Sequence, residues 1–241
     1  MTSHHQSLQL GAIVFPAIDQ ADLTGPFEVL SRIPGSSFHL LSKNLNCVRD
    51  GHGFIITPDM TFADAPQLDV LVVPGGFGQE AVMDDEVILE FIRQQAKSAR
   101  YVFSVCTGAL ICGAAGLLPG VKSTTHWSAF HLLEYFGALP TKARVVVDGK
   151  HVSAAGVTAG FDAALRLAQL LSGDQVAQTI QLAIEYAPQP PFDSGTPDDA
   201  PADVLASARA AIREVMESRL RTARRISARL GIRAEALSGE R

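Results

Sequence analysis

The run Tyr101-Val-Phe-Ser-Val-Cys106-Thr107-Gly108-Ala109-Leu110-Ile-Cys112-Gly113 constrains this chain more than any other stretch. Its first five residues, rich in β-branched and aromatic types, read as a buried strand. From Gly108 to Leu118 the small and apolar residues read as a helix. No Pro, Asn, Asp or spacer residue separates the two, so the chain must turn sharply at Cys106. Such a corner holds its residue in a strained conformation, with the side chain pushed out of the sheet toward a helix N-terminus. That is the geometry of a nucleophile elbow, built here on cysteine instead of serine. A free thiol with a pKa of about 8.5 is only a few per cent ionised at neutral pH, and a helix N-terminus lowers that value. The plainer alternative is a cysteine that serves as one more small buried hydrophobe.

Strands and helices alternate on both sides of this turn. Residues 8–15 form a near-continuous apolar run that reads as a central parallel strand. The loop through Asp19 and Asp22 leads into a helix from Leu23, with Asp22 or Thr24 as its cap and Pro26 in its first turn. Strands follow at 37–42 and 69–73, with a hairpin or pair of short strands between 47 and 60. Val82, Ile88, Leu89 and Ile92 mark one helix before the elbow. Beyond it come a helix through Phe136, a hairpin around Asp148-Gly149 that favours a type I′ turn, and helices at 158–171 and on through 186. The pattern predicts an α/β protein with a mostly parallel central sheet and helices on both faces. The short loops leave no place for a boundary, so residues 1–241 read as a single domain. Its core is about 8–186, its Pro-rich strap 187–201 and its C-terminal helix 202–230.

That last helix carries Val204, Ala208, Ile212 and Val215 at helical spacing, an apolar face that needs burial in the core or a dimer. From Leu205 onward there are nine Arg and four Glu, so a local charge of +5 sits on a chain whose net charge is −5. The whole-chain charge gives no reason to expect nucleic acid, and the arginines past Leu220 read as solvated or frayed. No run of eighteen apolar residues occurs, so no membrane span is expected. The N-terminus lacks an apolar signal-peptide core and three cysteines make no disulfide framework, which together predict a cytoplasmic protein.

Sites in parallel sheets form at the carboxyl ends of the strands. Three such ends carry chemistry: the loop with Asp19 and Asp22, Gly75-Gly76 after Val73, and Cys106-Thr107. Amides freed by the two glycines, beside that of Thr107, would make an oxyanion-type pocket; the plainer reading, and the commoner one for such a pair alone, is that the glycines only terminate a strand. Gly76-Phe77-Gly78-Gln-Glu-Ala81 matches a dinucleotide fingerprint, but the next strand ends in Cys106 with no acid to hold a ribose, so no nicotinamide site is expected. None of the seven histidines pairs with another ligand at metal spacing, which predicts no metal. His126 could reach the cysteine through the fold, although a His beside Trp is more often structural. Cys112 reads as core, and Cys47 has no motif.

Phe15-Pro16 with Asp22-Leu-Thr-Gly-Pro26, Val73-Pro-Gly-Gly76, Ser104-Val-Cys106-Thr-Gly108, Thr124-Thr-His-Trp127 and Gly156-Val-Thr-Ala-Gly160 follow one another in order. Together they resemble the ThiJ/PfpI superfamily of class I glutamine amidotransferase-like proteins, and within it the isocyanide-hydrating branch. The pairing of Asp22 with Cys106-Thr107 is the specific part, because many relatives have glutamate first and histidine after the cysteine. The resemblance implies a flavodoxin-like three-layer sandwich, a homodimer, and conversion of an isocyanide to the N-substituted formamide without a cofactor. It assigns Cys106 as nucleophile and Asp22 as general acid/base. Thr107, Gly75, Gly76 and Val157 would line the pocket, Val157 from a helix near the cysteine. The segment Ser153-Ala-Ala-Gly156 is less glycine-rich than the branch leads one to expect. Two other functions stay open: a glyoxalase or deglycase-like cysteine hydrolase, and an amidotransferase-like regulator without its DNA-binding domain, for which too few residues follow the strap.

Overall fold

The first apolar run becomes strand β1 (Leu8–Ile13) in a computed structural model that describes residues 7–232. Residues 1–6, on which the expectation about a signal peptide rests, and the end of the basic tail, 233–241, lie outside the described residues. Helix α1 (Gln20–Leu30) follows, then β2 (Ser36–Ser42), β3 (Val48–Arg49), β4 (Ile55–Ile56) and β5 (Met60–Thr61). Strand β6 (Val70–Val73) leads to α2 (Gln79–Met83) and α3 (Glu86–Ser98), and β7 (Tyr101–Val105) runs into α4 (Gly108–Ala114). Next come β8 (Lys122–Ser123), a 3₁₀ helix (Trp127–Phe136), β9 (Leu139–Pro140), β10 (Val145–Asp148) and β11 (His151–Ala154). Helices α5 (Ala159–Ser172) and α6 (Asp174–Ala183) precede an irregular strap and the long α7 (Ala202–Arg229).

The main sheet has the order β10-β11-β7-β6-β1-β2-β5, and every neighbouring pair is parallel except β10 with β11. Val70 to Val73 are all buried because β6 is covered on both faces, the usual fate of a central parallel strand. Helices α1, α5 and α6 pack together on one side; α2, α3, α4, the 3₁₀ helix and α7 pack on the other. The result is the three-layer flavodoxin-like sandwich that the sequence predicts. From β1 the chain moves outward to β2 and β5, then returns to β1's other flank as β6. The strand order therefore reverses between β1 and β6, and a crevice for ligands opens at their carboxyl ends. The elbow at the end of β7 emerges one strand away.

Several local expectations are corrected. Helix α1 starts earlier than Leu23, because Asp19 is its cap and accepts from the Ala21 N–H at 3.0 Å. Pro26 consequently falls in the helix interior, not its first turn, and Asp22 becomes a first-turn residue with a buried side chain. The single helix expected around Val82–Ile92 is two, because Asp85 accepts from the Val87 and Ile88 N–H groups and starts α3 afresh. In the β10–β11 hairpin only Gly149 has a positive φ (55°), and the loop is Gly149-Lys150, so the turn is not type I′, which needs positive φ at both central residues.

Of the two expectations for the stripe Val204, Ala208, Ile212 and Val215, burial in this chain's own core does not occur: it lies on an exposed to half-exposed half of α7, with Val204 48% exposed. Burial begins a turn later, at Arg219, Ala223, Ile226 and Ser227, against the 3₁₀ helix and α4. The arginines beyond Leu220 are not all free: Arg225 pairs with Asp84, and Arg229 donates to the Met83 carbonyl at 3.4 Å. Ser218 and Thr222 both donate to Glu80 Oε1, at 3.1 and 2.9 Å. An exposed ion pair contributes about 0.2–1 kcal/mol, whereas burying one Ile side chain contributes roughly 1.5–3 kcal/mol. Apolar contact at Ala223 and Ile226 therefore sets the docking, and the polar contacts fix its register along α2.

Candidate active site

Backbone geometry at three strand ends builds the site. Cys106 has φ 54°, a left-handed conformation that costs a non-glycine residue about 1–3 kcal/mol and persists only where its surroundings enforce it. Both of its peptide groups are held. Its N–H donates to the Ala154 carbonyl at 3.1 Å, and its carbonyl accepts from buried Thr125 Oγ1 at 2.6 Å. Gly108 lets α4 press onto the end of β6, since a Cβ there would lie 1.9 Å from the Val73 carbonyl oxygen. Opposite, the loop after β1 is laced to Gly75-Gly76: the Asp19 N–H donates to the Gly75 carbonyl at 2.9 Å, and Ile18 bridges Gly76. Gly76 adopts φ 122°, and any Cβ would fall 2.2 Å from the Asp19 nitrogen.

This lacing carries Asp22 to the elbow. Its Oδ2 accepts from the Gly75 N–H at 2.9 Å, the residue is wholly buried, and Oδ1 has no conventional hydrogen-bond partner. Burial pushes the Asp22 carboxyl up to about 8; the charge of Asp19 adds to the rise, while the Gly75 N–H and contact with Cys106 oppose it. Asp22 is therefore protonated at neutral pH. Burial likewise drives the Cys106 thiol well above its ordinary value, an Asp22 charge would raise it further, and the Thr107 N–H and Arg219 pull it down. Desolvation of the nearly enclosed sulfur, the largest influence on it, opposes the lowering expected from the helix N-terminus, and α4 is only two turns long.

The remaining predicted residues divide. Thr107 is buried beside Cys106, and its Oγ1 accepts from the Gly76 N–H at 3.1 Å. The amides of Gly75 and Gly76 are thus engaged with Asp22 and Thr107, and the free donor facing the sulfur is the Thr107 N–H. Asp19 caps α1 at the rim, close enough for its charge to act on both Asp22 and Cys106. His126 caps the 3₁₀ helix, with Nδ1 2.8 Å from Ser128 Oγ, and burial lowers its pKa. Its ring lies 3.4 Å from where a Cβ on Gly156 would sit, and the charges of Arg219 and Asp19 act on it. Val157 is half-buried in the turn before α5, not on a helix.

Arg219 escaped the sequence reading altogether. It is only 7% exposed; its Nη2 donates to the Gly76 carbonyl at 3.4 Å, its Nη1 lies 3.8 Å from Met216 Sδ, and Nε is buried without a partner. A signal existed, because Met216, Arg219, Ala223 and Ile226 are spaced by 3, 4 and 3 and so share one helix face. A cation on that stripe stands out once the stripe is placed correctly. Cys112, on α4, is fully enclosed, and burial pushes its thiol up to about 12. Cys47 is exposed, 3.3 Å from Thr57 Oγ1.

Known proteins share this fold and much of this sequence. The profile of the DJ-1/PfpI family matches residues 12–170. An isonitrile hydratase of Pseudomonas putida is 49% identical over 227 residues, which is 94% of this chain and 100% of that protein. The HTH-type transcriptional regulator GbdR of Pseudomonas aeruginosa is 30% identical over 178 residues, 71% of this chain but 48% of the regulator. Among solved structures, a THiJ/PfpI family protein from Pseudomonas syringae superimposes with a TM-score of 0.87 at 38% identity, covering 92% of this chain and 90% of its own.

Proposed function

The chain belongs to the DJ-1/PfpI family, and from that premise we propose that it hydrates isocyanides, R–N≡C plus water giving the N-substituted formamide. The observation that carries this reading is the setting of Asp22: wholly buried against the Cys106 thiol, held by the Gly75 N–H at 2.9 Å, with burial pushing its carboxyl up to about 8. The likeness to an isonitrile hydratase along nearly the whole chain supports it. The terminal carbon of an isocyanide is carbene-like and becomes electrophilic on protonation. Asp22 gives its proton to that carbon as the sulfur attacks, and it takes up the thiol proton. A C–S and a C–H bond form, the S–H bond breaks, and a thioimidate results. Water then adds to the same carbon, one of its protons going to nitrogen. The adduct collapses as Asp22 gives its proton to the departing sulfur and its other oxygen takes the remaining hydroxyl proton, so the C–S bond breaks and thiol and acid are both restored. The acid must cycle between its forms, which a pKa near the working pH favours.

We place this chemistry in a cytoplasmic homodimer that needs no cofactor; among the described residues no helix is long and apolar enough to cross a membrane. The deciding experiment incubates purified protein with cyclohexyl isocyanide and follows the formamide proton by NMR. Many equivalents of N-cyclohexylformamide per protein are expected. Intact isocyanide, together with turnover of an α-oxoaldehyde, would move the assignment to a carbonyl hydrolase.

A further inference from the structure

Arg219 is a buried cation with too few acceptors. It reaches one carbonyl at 3.4 Å and one thioether, and Nε reaches nothing. Burying a guanidinium without an anion is costly, so such a residue persists where a negative charge is formed nearby. The charge of Glu80 reaches Arg219, but Glu80 accepts from Ser218 and Thr222 and makes no hydrogen bond to the guanidinium. The Gly76 carbonyl that Arg219 holds also accepts from the Thr107 hydroxyl at 3.4 Å, and Thr107 adjoins Cys106. We propose that Arg219, delivered by α7 to the strand ends, is a positioning residue for the reaction: it fixes the Gly76–Thr107 wall and is the counter-charge against which Cys106 becomes a thiolate. The groups facing the sulfur are Asp22 and Asp19 from α1 and its cap, the Thr107 N–H from the elbow, and Arg219 from α7. Arg219 is the cation among them, and it also acts on His126 across the rim. Asp22, neutral at pH 7, offers no opposing charge until it ionises.

The inference rests on the hydratase reading for its chemistry, but its alkylation test does not. Iodoacetamide alkylation of Cys106 is measured from pH 6 to 10, by mass spectrometry of the Cys106 peptide, in the intact protein and in Arg219→Met. An opposite charge in contact range shifts a pKa by roughly 1–3 units. The alkylation profile should move upward by about one unit or more, with a rate at neutral pH about tenfold or more lower. Arg219→Lys should restore most of the profile, because it keeps the charge. If Arg219→Met does not fold, Arg219→Gln against Arg219→Lys makes the same comparison. With an isocyanide, Arg219→Met should lose kcat and keep KM near its original value. An alkylation profile unmoved in a folded neutral variant, or an unchanged kcat, would overturn the proposal and leave Arg219 as packing.

Discussion

Cys106 and Cys112 are six residues apart, both enclosed, and burial raises both thiols. What surrounds them differs. Around Cys112 nothing polar faces the sulfur except the backbone of its own helix, and the thiol stays a small hydrophobe. Around Cys106 the strand ends bring a carboxyl, a backbone N–H and a guanidinium, and the residue is strained at φ 54°. The lesson is that enclosure alone silences a thiol. Reactivity comes from a polar shell that can take its proton and oppose its charge.

Substitutions test that contrast directly. Cys106→Ser has the largest expected effect: loss of isocyanide turnover by about 1,000-fold or more, because the hydroxyl lacks a strong adjacent base. Near-normal kcat in that variant would erase the distinction between the two cysteines. Asp22→Asn keeps the polar contact to the Gly75 loop but cannot deliver and recover a proton, so kcat should fall about 100- to 10,000-fold.

Asp22→Asn should also be more stable than the original protein, increasingly so as pH rises. Asp22 titrates near 8 when folded and near 3.8 when unfolded, so between these values the folded chain holds one proton more and its stability declines with rising pH. Removing the acid removes that decline, which is at most about 1.4 kcal/mol per pH unit. Thermal or denaturant melts of both proteins from pH 5 to 8 should show the gap widening by roughly 2–4 kcal/mol; a constant gap would mean that Asp22 is ionised in its pocket.

Smaller effects follow. Asp22→Glu retains the acid but moves it by one methylene in a fully packed site, and kcat should drop about 10- to 100-fold. Cys112→Ala should cost about 1 kcal/mol of stability by denaturant titration, with kcat unchanged. Cys47→Ser, on the surface, should change neither by more than about 0.5 kcal/mol in stability or twofold in rate. A kinetic defect in either of the last two would show that reactivity is not confined to the elbow.

Much of this was legible in the residues. Val70–Val73 and Tyr101–Val105 declare themselves as central strands because parallel strands covered on both faces are nearly all apolar. The elbow declares itself because no spacer lies between Val105 and Gly108. Helix limits were harder: Asp85 restarts a helix with side-chain hydrogen bonds that apolar periodicity does not register. The second face of α7, the one that packs on this chain's own core, is hidden for a related reason. Val204, Ala208, Ile212 and Val215 are as periodic as Met216, Arg219, Ala223 and Ile226, and only tertiary contact decides between them. The raised pKa of Asp22 is a property of enclosure and could not be read from its position in a loop.

The route by which α7 reaches the strand ends also orders events during synthesis. Ala183 ends α6, and Arg219 comes about 36 residues later. At roughly 5–20 residues per second, translation takes about 2–7 s to cover that interval. Every strand of the sheet, the elbow and Asp22 is therefore synthesised before the guanidinium that latches them. Docking of α7 would then be the last step of maturation, made after the rest of the site has been translated.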